Sequence, residues 1–138
     1  MQDEYSLLAR GIELELIPAV QARNLSLLPY FPLASGLLTG KYKRNAAAPK
    51  GARLANSTHH ASDFINARNW PLVEKLEAVA ARTGHSMLEL AFGWLLAKPV
   101  LGSVIAGATK PEQIEQNVAA AAKRPPPAVI AEIDAITR

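Results

Sequence analysis

Short apolar segments typical of β-strands alternate with helical patterns along the chain, and this alternation is the strongest constraint on the fold. The apolar strand-like segments lie at 26–31 and 100–106, and residues 2–6, which are mostly polar, look like the tail of a further strand. Strands that helices separate pair in parallel, because a parallel connection crosses over the sheet and needs about a dozen residues or more. The sequence therefore predicts an α/β fold with a ligand site where the carboxyl ends of the strands meet.

The first two helical patterns are amphipathic. One includes Ile12, Leu16 and Val20, and Pro18 fits only in its first turn. The next runs from residue 71 to Gly84, which supplies a C-terminal stop. Both patterns predict helices that bury one face against the sheet.

Capping signals mark the later helices. Ser86 and Glu89 predict a capping box for an apolar helix that ends before Pro99. Thr109 and Glu112 predict a second capping box, with a proline in the first turn of the helix. A helix–turn–helix at 71–97 would suggest DNA binding, but its second helix is too apolar to read base edges. We therefore expect a buried helix and no nucleic-acid partner.

The last two helices are predicted from apolar spacing and from prolines. Ile114, Val118 and Ala121 are expected to face the core. The segment 125–127 is all proline and ends this helix. A final amphipathic helix, with isoleucines at 130, 133 and 136, is expected to dock on the outside.

Composition limits the class of protein. The chain has 138 residues, which fits one domain over 1–138, and its hydrophobic content of 49% excludes a disordered polymer. It has no cysteine, and its three histidines include no pair at the spacing of a helical metal site, so no metal is expected. No leader pattern and no apolar run of about 18 residues is found. These features predict a cytoplasmic protein without a membrane partner.

Positive charge is concentrated in one segment. No acidic residue lies between Glu15 and Asp63, and five cations of this stretch crowd the segment 41–53, namely Lys41, Lys43, Arg44, Lys50 and Arg53. Such a cluster suits a polyanion such as the phosphates of a nucleotide, although a solvated basic loop has the same composition. The segment 42–69 has no sustained period, which is typical of a binding loop, a lid or disorder.

Two turns after predicted strands carry ligand-like features. The first spans Pro29–Lys41, where Tyr30 offers a flat ring and Gly36 and Gly40 allow backbone N–H groups to approach a ligand. The second spans 107–117, where a glycine leads into a helix N-terminus that favours anions. A ring-containing ligand with phosphates fits both turns. The alternatives are a glycine-rich loop with a solvated lysine and a helix cap with nothing bound.

Four segments together resemble the carboxyl-terminal portion of the aldo-keto reductases, especially the branch that includes the potassium-channel beta subunits. The matching segments are 2–10, 30–42, 84–94 and 104–117, of which the second and fourth are specific. The resemblance implies a partial (β/α)8 TIM barrel, with about strands six to eight and their helices. It also implies a nicotinamide dinucleotide as cofactor and a small carbonyl compound as substrate.

The resemblance also implies a set of cofactor-binding residues. Gln2 would hold the nicotinamide carboxamide, and Tyr30 would stack on its ring. Residues expected to line the pyrophosphate or fold over the cofactor are Pro32, Leu33, Ala34, Gly36, Lys41 and Arg53. Residues expected at the adenosine end are Gly107, Thr109, Lys110, Gln113, Gln116 and Asn117.

Departures from the family pattern affect cofactor preference and catalysis. Gly107 and Gln113 replace the cations that many relatives use for the 2′-phosphate, so preference for NADP over NAD depends on Lys110 and the loop cations. Phe31 stands where the family commonly has serine. The family's catalytic groups lie on earlier strands, and neither Tyr5 nor Tyr42 is in the matching position. We therefore expect no catalytic residue here.

Three functions remain open at this point. The first is part of an NADP-dependent carbonyl reductase, either truncated or completed by a complementing chain. The second is a non-catalytic nucleotide-binding or regulatory module. The third is an inert product that does not fold stably. Under the first two of these hypotheses, carbonyl reduction would require the rest of the barrel.

Overall fold

The computed structural model describes residues 1–55 and 63–138 of the chain. Its strands are β1 (Gln2–Glu4) and β2 (Leu28–Tyr30), and its α-helices are α1 (Leu16–Ala22), α2 (Asn69–Thr83), α3 (Met87–Leu96), α4 (Pro111–Ala122) and α5 (Pro127–Ile136). Short 3-10 helices lie at Gly11–Glu13, Ala34–Thr39 and Arg53–Ala55. The last of these falls inside the predicted long loop 42–69, of which 56–62 lies outside the described residues.

The two strands pair in parallel, as predicted from the helix between them. Gln2 lies opposite Leu28, and Glu4 lies opposite Tyr30. Helix α1 connects the strands, and Pro18 occupies its first turn, as expected. The α/β class and the parallel pairing are therefore confirmed.

The prediction of a third strand at 100–106 is wrong. This segment lies beside residues 27–29, and three backbone hydrogen bonds join the two. Leu27 N–H donates to the Val100 carbonyl (2.8 Å), Gly102 N–H to the Leu27 carbonyl (3.0 Å) and Ile105 N–H to the Pro29 carbonyl (2.9 Å). Only one isolated parallel bridge results. Pro29 has no N–H to donate on this side, so the ladder is interrupted. β2 consequently has a regular partner on one side only, which is β1.

Helices α2 and α3 match their sequence signals. α2 ends at Gly84, whose φ of 72° is the left-handed conformation that favours glycine. α3 begins with the predicted capping box, in which Glu89 N–H donates to the Ser86 hydroxyl (3.1 Å). Trp94 and Leu95 on α3 are fully buried. This helix is therefore part of the core, as expected from its apolar sequence.

The start and the orientation of α4 differ from the prediction. Pro111 is its first residue, but the cap is formed by Gln113 instead of Glu112. The Gln113 side-chain oxygen accepts hydrogen bonds from the backbone N–H groups of Thr109 (2.7 Å) and Lys110 (3.3 Å). The prediction that Ile114 and Val118 face the core is wrong, because they are 57% and 64% exposed. Among the described residues, no element covers the face of α4 that carries Ile114 and Val118.

A charged network joins the start of the chain to its last helix. Asp134 on α5 accepts hydrogen bonds from the Trp94 indole N–H (2.8 Å) and from Lys98 (2.9 Å). Arg10 lies 3.1 Å from the same carboxylate and also pairs with Glu13 (2.8 Å). Burial raises the pKa of Asp134, but the hydrogen bonds from Lys98 and Trp94 outweigh it and bring the pKa down to about 2.

Two kinds of feature are absent from the described residues. No helix among them is long and apolar enough to cross a membrane. They also contain no group of three or more histidine, cysteine, aspartate or glutamate side chains placed to hold a metal ion.

Candidate functional site

The backbone pairing brings two of the predicted ligand-binding turns to one edge of the sheet. β1 and β2 run in parallel, and Ile105 N–H donates to the Pro29 carbonyl on the other side of β2. Two residues further along, these segments reach Phe31 and Gly107. The turns that follow them therefore start side by side, at the carboxyl end of β2, and parallel sheets bind their ligands at such ends.

The turn after β2 has an unusual backbone. Phe31, Ala34 and Ser35 have positive φ angles of 51°, 47° and 54°, and Gly36 and Gly40 follow at 97° and 79°. A non-glycine residue in the left-handed region costs about 1–2 kcal/mol. Such residues persist only where the surrounding structure enforces them, and they cluster at binding and catalytic sites. The loop 31–41 is therefore the strongest candidate for a functional segment.

The loop satisfies part of its own backbone. Ala34 N–H donates to the Phe31 carbonyl (2.9 Å), and Gly36 N–H donates to the Leu33 carbonyl (2.9 Å). The expectation that Gly36 presents a bare N–H to a ligand is therefore wrong. The loop folds into 3-10 turns because its small residues tolerate left-handed conformations, and these turns use the N–H groups internally.

Gly36 has a different role, which is to make room for Lys41. A Cβ atom at Gly36 would lie 3.1 Å from both Cε and Nζ of Lys41. The Lys41 ammonium group also lies 5.3 Å from the centre of the Tyr42 ring. The lysine is exposed, and no carboxylate among the described residues pairs with it. Its charge is therefore held against the loop and is available to an anion.

Ser35 is a second unusual group in this loop. Its side chain is buried, and its hydroxyl has no hydrogen-bond partner among the described residues. An unsatisfied buried hydroxyl costs about 1–3 kcal/mol. The strained conformation and the unpaired hydroxyl of this residue both favour a loop shaped for a ligand.

Tyr42 is a contributor that the sequence reasoning missed. Its ring is buried beneath Lys41, and its hydroxyl accepts a hydrogen bond from the Leu54 backbone N–H (3.2 Å). This bond ties the segment Arg53–Ala55 to the loop 31–41. The only sequence signal of this hydrogen bond is a tyrosine directly after Gly40 and Lys41. The residue that donates to it, Leu54, is twelve residues away.

The predicted basic cluster is partly neutralised. Lys43 pairs with Glu77 (2.9 Å) and Arg44 pairs with Glu74 (3.4 Å), and both glutamates lie on α2. Both cations are well exposed, so their service to a polyanion stays a prediction. The Arg53 side chain lies outside the described residues, so its predicted role is a proposal only.

The predicted residues differ in accessibility. Gln2 is exposed at the start of β1, and Tyr30 is 39% exposed at the end of β2. Pro32 and Ala34 are buried and Leu33 is half-buried. At the adenosine end, Gly107, Thr109, Lys110 and Gln116 are exposed, and Asn117 is half-buried. The Gln113 oxygen is already engaged in the α4 cap and also accepts from the Thr109 hydroxyl (3.2 Å).

A polar hollow of about 570 Å³ lies between the segment 4–11 and the segment 63–69. It contains Glu4, Phe31 and Asp63, but none of the predicted cofactor residues lines it. Burial raises the pKa of Glu4, and the nearby Asp3 and Asp63 carboxylates raise it further. Arg10 and Arg68 also line the hollow, so its lining side chains carry no excess of either charge.

Comparison with known proteins identifies the family. The aldo/keto reductase family model matches residues 1–138. This chain belongs to the aldo/keto reductase family. The resemblance inferred from the four segments is therefore confirmed, and members of this family use NAD(P)H.

Three relatives illustrate the range of the aldo/keto reductases to which the chain is similar. It is 36% identical over 141 residues to a probable voltage-gated potassium channel subunit beta from Oryza sativa subsp. japonica, covering 99% of this chain and 43% of the relative. It is 34% identical to the NADH-specific methylglyoxal reductase of Escherichia coli (strain K12), covering 87% and 36%. It is 32% identical to the L-glyceraldehyde 3-phosphate reductase of the same strain, covering 86% and 35%. The chain spans less than half the length of these relatives.

Proposed function

We propose that this chain supplies the nicotinamide dinucleotide-binding side of a carbonyl reductase, as about strands six to eight of a (β/α)8 barrel. The observation that carries the proposal is the strained loop 31–41, which fixes Lys41 over Gly36 at the end of β2. Calorimetric titration with NADPH tests it, and saturable binding is expected.

The residues of the loop fit the chemistry of such a cofactor. The exposed Tyr30 ring offers a face for stacking, and Gln2 on the neighbouring strand offers an amide. Lys41 would hold a phosphate as a point charge, and the unpaired Ser35 hydroxyl would gain a partner. When bound, the cofactor supplies the hydride for carbonyl reduction. The chain's own part is to bind and orient it.

We propose that reduction itself requires groups from outside these 138 residues, from the rest of a barrel or a complementing chain. A proton donor is needed for the developing alkoxide. The Tyr5 hydroxyl is buried and donates to Glu13 (2.6 Å), and burial together with this bond raises the pKa of Tyr5. The Tyr42 hydroxyl is bonded to Leu54. We expect NADPH binding by this chain without reduction of methylglyoxal, the substrate named for one relative.

Cofactor preference is expected to depend on Lys110. Lys43 and Arg44 pair with α2 and Gln113 caps α4, whereas Lys110, at the proposed 2′-phosphate end, has no ion pair with the described residues. We expect NADPH to bind about tenfold more tightly than NADH, and Lys110→Gln to bring this ratio near one. Titrations of both dinucleotides measure it. Lys75→Gln on α2 is the control of equal charge change, and an equal loss of preference there would contradict a local role for Lys110.

Tyr42→Phe is expected to loosen the connection between the loop and the segment Arg53–Ala55. It keeps the ring under Lys41 but removes the acceptor for Leu54 N–H, which is worth about 1 kcal/mol of unfolding free energy. NADPH affinity should fall by about two- to fivefold. Urea unfolding and calorimetry measure the two effects. Unchanged affinity together with the stability loss would show that the tether has no part in binding.

A further inference from the structure

A groove between α3 and α5 has the features of a second small-molecule site. Its volume is about 330 Å³, at the lower end of the range for small-molecule pockets. Its walls are apolar and come from Gly93, Ala97, Pro125, Pro127, Ile130 and Ala131. None of these residues belongs to the proposed cofactor set.

The floor of the groove is rigid. Gly93 allows the linker between α4 and α5 to approach α3, because a Cβ atom at this position would clash with the Pro125 ring. Pro125 is the first of three consecutive prolines, 125–127, and their fixed φ angles restrict the conformation of the linker. A preformed apolar groove loses little conformational freedom when a ligand binds.

The rim of the groove carries excess positive charge. The groove contains one carboxylate, Asp134, which already lies within 3.1 Å of cationic groups on Arg10, Lys98 and Arg138. Arg124 adds a further cation at the rim. Its guanidinium donates one hydrogen bond to the Leu96 carbonyl (3.2 Å), and no carboxylate among the described residues pairs with it.

We propose that this groove binds a small apolar monocarboxylate, with Arg124 as the group that receives its charge. The apolar walls would enclose a short hydrocarbon or aromatic body, and the guanidinium fork matches a carboxylate in a bidentate arrangement. The groove is too small for a peptide, and its apolar walls would not compensate the desolvation of a phosphate.

Titration of the full chain with octanoate, followed by backbone amide NMR, tests this proposal. Octanoate is expected to shift the signals of α3, α5 and the proline linker and to saturate below about 10 millimolar, whereas octanol and acetate bind at least about tenfold more weakly. Arg124→Gln should weaken octanoate binding by about tenfold or more, and Arg82→Gln, a surface arginine of α2, should not.

A second variant keeps the test independent of charge. Ala131→Leu adds volume to the groove from an exposed position of α5, so it should block octanoate while the chain stays folded. Equal binding of octanol and octanoate, unchanged binding in Arg124→Gln, or no saturation would each overturn the proposal. Because none of these residues contributes to the dinucleotide site, NADPH binding should be the same in all three variants.

Discussion

Replacing Asp134 by asparagine is expected to lower the free energy of unfolding by roughly 2–4 kcal/mol, because it leaves the half-buried Lys98 without a carboxylate and the half-buried Arg10 with Glu13 alone. The Asp134 side chain is only 15% exposed and receives Trp94 N–H, Lys98 and Arg10. The asparagine oxygen can keep one of these bonds but carries no charge. Urea unfolding at neutral pH measures the loss.

The control for this prediction lies on the same helix. Glu132 pairs with Arg82 across the surface, and both side chains are well exposed. Glu132→Gln should change the unfolding free energy by less than about 1 kcal/mol, because exposed ion pairs contribute little. Similar losses in the two variants would mean that the Asp134 network does not hold the termini together.

The pH dependence of the same network has a definite sign. The pKa of Asp134 is lowered to about 2, so the folded state holds this carboxylate ionised where the unfolded chain would take up a proton. The stabilisation is complete above about pH 4, the unfolded value, and is lost as pH falls toward 2. The difference between wild type and Asp134→Asn should therefore shrink over this window and stay constant above it.

Gly36→Ala is expected to have the largest effect on dinucleotide binding. The new Cβ would lie 3.1 Å from Lys41 Nζ and Cε, so the lysine must move away from the loop. Because the Lys41 ammonium group would no longer be held near the phosphate, NADPH binding should weaken by about tenfold or more. The φ of 97° also costs about 1–2 kcal/mol of stability for alanine.

Gly84→Ala separates the two effects of that variant. Gly84 has a similar positive φ, 72°, but a Cβ there would meet nothing within 4 Å. It should show a comparable loss of stability with unchanged NADPH affinity. If Gly84→Ala weakens binding as much as Gly36→Ala does, the loss follows from general destabilisation and not from the position of Lys41.

The elements that depend on local signals could be predicted from the sequence. Helices α2 and α3 were recognisable from their apolar stripes, from Gly84 and from the capping box of Ser86 and Glu89, because capping and amphipathic spacing act within a few residues. The parallel pairing of β1 and β2 followed from the helix between them. Family membership followed from short segments whose residue types are specific.

The features that depend on distant partners could not be predicted. Lys43 and Arg44 are bound by glutamates about thirty residues away, and the hydroxyl of Tyr42 finds a backbone N–H in a separate turn. Gln113 has an amide that suits either adenosine or a helix cap, and only the fold shows that it forms the cap. The third strand was predictable only in part. The sequence shows that Pro29 lacks an N–H to donate, but it does not show how much of the pairing with 100–106 is lost.

Isothermal titration of the purified chain with NADPH tests the central claim most directly, provided that thermal unfolding first shows a cooperative transition. The account predicts saturable binding with a dissociation constant below about 100 micromolar, and at least about tenfold weaker binding for Gly36→Ala. A cooperatively folded chain that shows no saturation up to about one millimolar NADPH would contradict it.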